Sequence, residues 1–179
     1  MFREEVEEKE TNLKTDFLAV EEEEIVDEAR AVVIVYKDTS GDNGGFQILL
    51  VRNKAPLGGE DDRVHILPGG AINQGESPQK ALAREMEEEL GVDLDPESLD
   101  PPFTHFAYDN EFSKNGVERA SNTCFSLRAD EQYHDLTDLP QVNEVAEAVW
   151  VSPQEALGKL RWSSQRRAVE EWLERIHHQ

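Results

Sequence analysis

Glu85, Glu88 and Glu89 are the residues of this 179-residue chain whose type and spacing best suit chemistry. On a helix the i, i+3, i+4 spacing sets their carboxylates on one face. Like charges placed this way repel, and hard cations would relieve that repulsion. Oxygen-only ligands suit Mg2+ or Mn2+. Mg2+ also takes few protein ligands and keeps waters and phosphate oxygens for the rest. Arg84 lies four residues before Glu88 and can pair with a neighbouring acid to orient it. With 39 acidic residues against 18 basic ones, however, a glutamate-rich helix face taken alone is usually only a solvated surface.

The residues around the cluster change that balance. Gly69 and Gly70 let backbone approach closely and expose its polar groups, and Gly75 supplies a further turn. Ser77 and Pro78 suit the N-cap and first helical positions, and Gly91 suits a C-terminal stop, which predicts a helix from Pro78 to Leu90. Leu82, Met86 and Leu90 form its core-facing stripe. At 100° per residue the glutamate face lies roughly 100° around from that stripe, at the edge of the core, with Glu87 towards solvent.

Taken in order, Gly70, Glu76, Arg84, Glu85, Met86, Glu88, Glu89, Gly91 and Val92 match every fixed position of the Nudix box. That signature reads Gly, five residues, Glu, seven residues, then Arg-Glu-apolar-any-Glu-Glu-any-Gly-apolar. Pro68-Gly69-Gly70, and Trp150-Val151-Ser152 followed by Glu155-Ala156-Leu157, resemble the family's flanking pattern. The resemblance thus spans residues 29–169. It implies an α/β fold, the Nudix α/β/α sandwich with a mixed β-sheet between helices. The activity it implies is metal-dependent pyrophosphohydrolysis: cleavage of a phosphoanhydride bond in a nucleoside diphosphate linked to another moiety. Dinucleoside polyphosphates, ADP-ribose and nucleoside triphosphates are the candidate classes.

Residue by residue, the resemblance implies that Glu85, Glu88 and Glu89 bind Mg2+ or Mn2+, with the Gly69 carbonyl as a further ligand. Glu76 and Arg84 would hold the catalytic glutamates by hydrogen bonds, with Gly70 beside them, so that Arg84, Glu85 and Glu88 form the catalytic set. Many members add a glutamate from a loop before the late strand. Glu144, six residues before Trp150, is the candidate; Glu147 ranks second because it should lie within the strand. Arg52, at a strand end, and Tyr108, 16 residues past the box, are the substrate-binding candidates. Tyr108 stands close to where the family's dinucleoside-polyphosphate hydrolases carry a tyrosine, and Phe106 and Phe112 lie nearby. Pro101-Pro102 falls short of the downstream proline associated with ADP-ribose hydrolases.

The alternative is a catalytically silent Nudix domain acting as a nucleotide-ligand sensor or scaffold. Such domains often lose box glutamates, whereas this chain keeps all of them. An isoprenoid diphosphate isomerase on the same fold would need a catalytic cysteine, and Cys124 sits in a run that reads as core.

The elements that must position these residues are legible as alternating strands and a few helices. Residues 29–36 hold a β-branched run typical of a buried strand, and 38–45 are dense in turn residues before strand 46–52, which predicts a hairpin with a longer loop. Acids in that loop do not fit a calcium loop, because the twelfth position from Asp38 is Leu49. Residues 63–67 read as a strand ending in the Pro68-Gly69-Gly70 turn. Residues 103–112 and 117–128 read as strands around Ser113-Lys114-Asn115-Gly116, and 145–151 as another. Ser152-Pro153 starts a short helix. Val169, Trp172, Leu173 and Ile176 then mark an amphipathic C-terminal helix, with His177 and His178 favouring its negative pole. His65, His105 and His134 read as isolated, structural or exposed.

Length, charge and cysteine content bound the remaining possibilities. The chain suits one domain at 28–179, preceded by an acidic arm at 1–27 in which Phe17 to Val20 can pair as an edge strand. A net charge of -21 disfavours nucleic acid and anionic membranes as partners, leaving a small-molecule nucleoside diphosphate derivative. Either adaptation to a salty cytoplasm or ordinary acidity with an acidic arm accounts for the charge; Arg outnumbers Lys, 11 to 7. A single cysteine, no apolar stretch near the roughly 18 residues of a membrane span, and no signal-peptide pattern predict a cytoplasmic protein. Where such a protein self-associates, a homodimer is the commonest form.

Overall fold

A computed structural model describes residues 26–39, 45–53, 64–110, 118–130, 136 and 145–178. The acidic arm, apart from Val26 and Asp27, lies outside them, as do Glu144, Phe112 and His134. Among the described residues seven strands form one mixed sheet. The strands are β1 (Glu28–Thr39), β2 (Gly45–Asn53), β3 (His65–Ile66), β4 (Gly69–Ala71), β5 (Thr104–Asp109), β6 (Arg119–Arg128) and β7 (Val145–Val151). Three helices accompany them, α1 (Pro78–Leu90), α2 (Pro153–Lys159) and α3 (Ser163–His177), with a short 3-10 turn at Pro96–Ser98.

The strand order is β3-β2-β1-β6-β5, with β7 added to β2 and β4 to β1. β1 and β6 run parallel; the other pairings are antiparallel. β1 is central because residues 31–35 are apolar and buried, a near-continuous run that only a strand covered on both faces accommodates. Alternate residues feed two cores. Ala31, Val33 and Val35 join Leu49, Val51, Leu82, Met86 and Leu90 beneath α1. Val32 and Ile34 join Ile48, Leu50, Leu67, Ala168, Val169 and Trp172 beneath α2 and α3. Helices thus cover both faces, giving the expected α/β/α arrangement.

One edge of β1 changes partner along its length. Tyr36–Thr39 pair with β2, whereas Arg30, Ala31 and Val32 pair with Ala71, Gly70 and Gly69 of β4. The turn expected at Pro68-Gly69-Gly70 is therefore corrected in part: beyond Pro68 the chain re-enters the sheet. Pro68 has no N–H to donate, so it interrupts the ladder rather than ending it.

α1 has the expected bounds. The Ser77 side chain accepts from the Lys80 N–H, Pro78 opens the helix, and Gly91 closes it in the left-handed region at φ 64°. Burial of Leu82, Met86 and Leu90 stabilises roughly 1.5–3 kcal/mol per side chain. Like-charge pairs on a helix cost only ~0.2–0.5 kcal/mol each. Core packing therefore decides where α1 sits, and the glutamates are carried with it.

Candidate active site

The three glutamates of α1 do not share one environment. Glu89 is buried, 4% exposed, and its Oε2 accepts the Gly69 N–H at 3.0 Å. The Glu85 side chain is 14% exposed and that of Glu88 is 49% exposed. A common edge-of-core face is thus resolved into a graded series that runs from core to solvent.

Arg84 organises this series. Its Nε and Nη2 donate to the two Glu76 carboxylate oxygens, each at 3.1 Å. Nη1 donates to Glu85 at 2.6 Å and reaches Glu88 at 3.5 Å, and Nη2 also donates to the Ala71 carbonyl at 2.9 Å. One planar guanidinium thereby joins the helix, the loop before it and β4, a geometry that suits arginine and not lysine. The bonds to Glu76, and then those to Glu85, hold the Arg84 pKa above its ordinary value, so it stays cationic. Reciprocally, Arg84 and then the Asn73 N–H hold the Glu76 carboxyl below its ordinary 4.5.

The two glycines do different work. Gly69 has φ 134°, and a Cβ there would lie 2.2 Å from the Ala31 carbonyl oxygen. At Gly70 a Cβ would lie 2.3 Å from the Glu85 carboxyl, so the missing side chain is the space that this carboxylate occupies. Oxygen donors at three depths, on adjacent turns beside the glycine backbone of β4, fit a hard divalent cation. Among the described residues no three His, Cys, Asp or Glu side chains converge into a ready-made cation cage. An open set still suits Mg2+, which completes its shell with waters and phosphate oxygens.

Other expected site residues lie apart from this cluster. Arg52 donates to Glu147 at 3.0 Å, and His65 lies 3.4 Å from the same carboxylate. Arg52 pairs with His65 on β3 and with Glu147 on β7, so the three share the sheet face covered by α2 and α3, opposite α1. His65 is consequently not isolated, and Arg52 draws the Glu147 carboxyl below its ordinary pKa. Tyr108 also lies with the second core; its hydroxyl donates to Asn122 at 3.3 Å, and burial raises its pKa. Phe106 is buried under the Arg167 guanidinium, and His105 bonds Thr123. Cys124 is fully buried with its thiol pushed up to about 12, which removes it as a nucleophile.

Gln165 was not among the expected site residues. It is 4% exposed, and its Oε1 accepts the Leu67 N–H at 3.0 Å, two residues before Gly69. The sequence does carry a signal for it. Gln165, Ala168, Val169 and Trp172 follow helical spacing, so a carboxamide occupies a position on the apolar stripe.

Known proteins resemble this arrangement. A family model described as NUDIX domain matches residues 27–173. No curated protein matches the chain. Among solved structures, a C. elegans Ap4A hydrolase binary complex superposes with a TM-score of 0.62 at 16% identity, covering 87% of this chain and 100% of that one. The E. coli dihydroneopterin triphosphate pyrophosphohydrolase gives 0.58 at 19% identity, covering 80% and 93%. The NUDIX domain of Shewanella oneidensis NrtR, complexed with ADP ribose, gives 0.60 at 15% identity, covering 83% and 87%. At these identities the likeness is one of fold.

Proposed function

The chain belongs to the Nudix hydrolase family, and from that membership we propose that it is a metal-dependent pyrophosphohydrolase. Its substrate is a nucleoside diphosphate linked to another moiety, of the dinucleoside polyphosphate, ADP-ribose or nucleoside triphosphate class. The observation that carries this reading is the Arg84 hub, which gathers Glu76, Glu85 and Glu88 while Glu89 is anchored on Gly69. Residues 28–179 form the hydrolase domain, with 1–27 as an arm.

Glu85, Glu88 and Glu89 would hold Mg2+ or Mn2+, with the Gly69 carbonyl as a further ligand. When bound, the cation lowers the pKa of the attacking water and screens the pyrophosphate charge. The chain's own residues set the geometry. Glu76 fixes the guanidinium plane, Arg84 orients Glu85 and Glu88, and the Gly69 N–H orients Glu89. A carboxylate of the cluster, or Glu144, accepts the proton from water as it attacks phosphorus. Arg52 and Tyr108 contact substrate only if it extends to the α2–α3 face. Retention of every box carboxylate supports turnover over a silent sensor.

The test is a panel of ADP-ribose, dinucleoside polyphosphates, nucleoside triphosphates and NADH, assayed with Mg2+ or Mn2+. Glu89→Gln should lower the rate roughly 10²-fold or more. Equal product release by wild type and variant, or release by neither, would sink the hydrolase reading.

A further inference from the structure

Around Pro68 the chain forms a strap that two helices hold from opposite faces of the sheet. β3 ends at Ile66 and β4 begins at Gly69, so the Leu67 N–H lies outside both ladders. Leu67 is fully buried, and a buried N–H away from a ladder must find another partner. Gln165 of α3 supplies it, from 98 residues further along the chain. The Pro68 carbonyl accepts the Val33 N–H of β1 at 3.0 Å. The Gly69 N–H goes to Glu89 of α1. Three successive residues are thus fixed by α3, β1 and α1, and the last bond sets the direction of a glutamate in the cluster.

We propose that Gln165 is a positioning residue for divalent-cation binding, acting on Glu89 and the Gly69 carbonyl through the strap. This rests on the reading of Glu85, Glu88 and Glu89 as the cation site. Without the carboxamide, the Leu67 N–H has no acceptor there, and the strap can settle only by moving. Pro68 passes that movement to Gly69 because its ring allows little change in φ. Gly69 cannot absorb it by pressing further into β1, because the Ala31 carbonyl already sits against it. The shift therefore falls on the Gly69–Glu89 bond and on the carbonyl of the same residue. Partners that orient metal ligands typically matter 10–100-fold in affinity.

The test is Mn2+ binding to the full chain, followed by electron paramagnetic resonance without substrate. Gln165→Met, close in volume and with only a weakly accepting thioether in place of the carboxamide oxygen, should weaken binding about 10-fold. Gln165→Glu keeps the acceptor oxygen and should bind within about twofold of wild type, even though a buried charge lowers its melting temperature. That opposition between affinity and stability is not expected of a packing role. Wild-type affinity in Gln165→Met, or equal loss in both variants, overturns the proposal. Glu89→Gln separates the two levels: if it binds Mn2+ as wild type does, or wild type binds none, the site reading falls and the proposal falls with it.

A second measurement needs no variant. Linkage requires a bond that favours cation binding to be strengthened by the cation. Hydrogen exchange at the Leu67 amide should slow on saturation with Mg2+. An unchanged rate overturns the proposal.

Discussion

Alanine at Gly69 and alanine at Gly70 should have opposite consequences, although the two are chain neighbours. At Gly69 the new methyl meets backbone, the Ala31 carbonyl, and the residue keeps a φ that L side chains rarely adopt. Backbone strain of this kind costs about 1–3 kcal/mol before the steric clash is counted. Urea unfolding should show Gly69→Ala as the strongly destabilised variant. At Gly70 the atoms nearest the methyl belong to the end of the Glu85 side chain, which can swing away. Gly70→Ala should stay within about 1 kcal/mol of wild-type stability. Its turnover should fall 10-fold or more, because Glu85 leaves its place beside Arg84. Full activity in Gly70→Ala would show that the Glu85 position does not matter to the reaction.

At the scale of elements, α1 stands on its caps as well as its stripe. Ser77→Ala removes the acceptor of the Lys80 N–H and should cost about 1 kcal/mol, read as a lower urea midpoint with unchanged slope. A midpoint equal to wild type would mean that the cap adds nothing to packing. Elements of this kind were legible in the sequence because their signals are local. Ser77-Pro78 and Gly91 bound α1, and Ser152-Pro153 opens α2 where a capping box with Glu155 forms. β4 was not legible: Gly69 and Gly70 look like a turn and become strand only because the adjacent edge of β1 is left open by β2. The parallel pairing of β1 with β6 has no local trace either. The site followed the same rule. The membership of Glu85, Glu88 and Glu89 in one cluster follows from spacing, but their graded burial depends on how α1 meets the sheet. Arg52 looked available for a phosphate because Glu147, its partner, lies 95 residues away on a strand whose register is set by the whole sheet.

At the scale of the whole molecule, a net charge of -21 acts on stability more than on topology. Salt shortens the Debye length from about 10 Å at 0.1 M to about 3 Å at 1 M. Self-repulsion among surface acids should weaken accordingly, and the melting temperature should climb from low to molar NaCl. A flat or falling profile would show that the acids do not strain the folded state. No helix among the described residues is long and apolar enough to cross a membrane. The Pro68 strap adds an order in time. Its clasps come from α1, which follows it directly, and from α3, which the ribosome makes nearly a hundred residues later. The buried core beneath the glutamate helix draws on residues up to Ala148, and a nascent chain that has made them still lacks the far clasp until Gln165 has emerged. The last part of the site to be secured is therefore the backbone beneath it, so the competence of the site doubles as a record that the distant helix has docked.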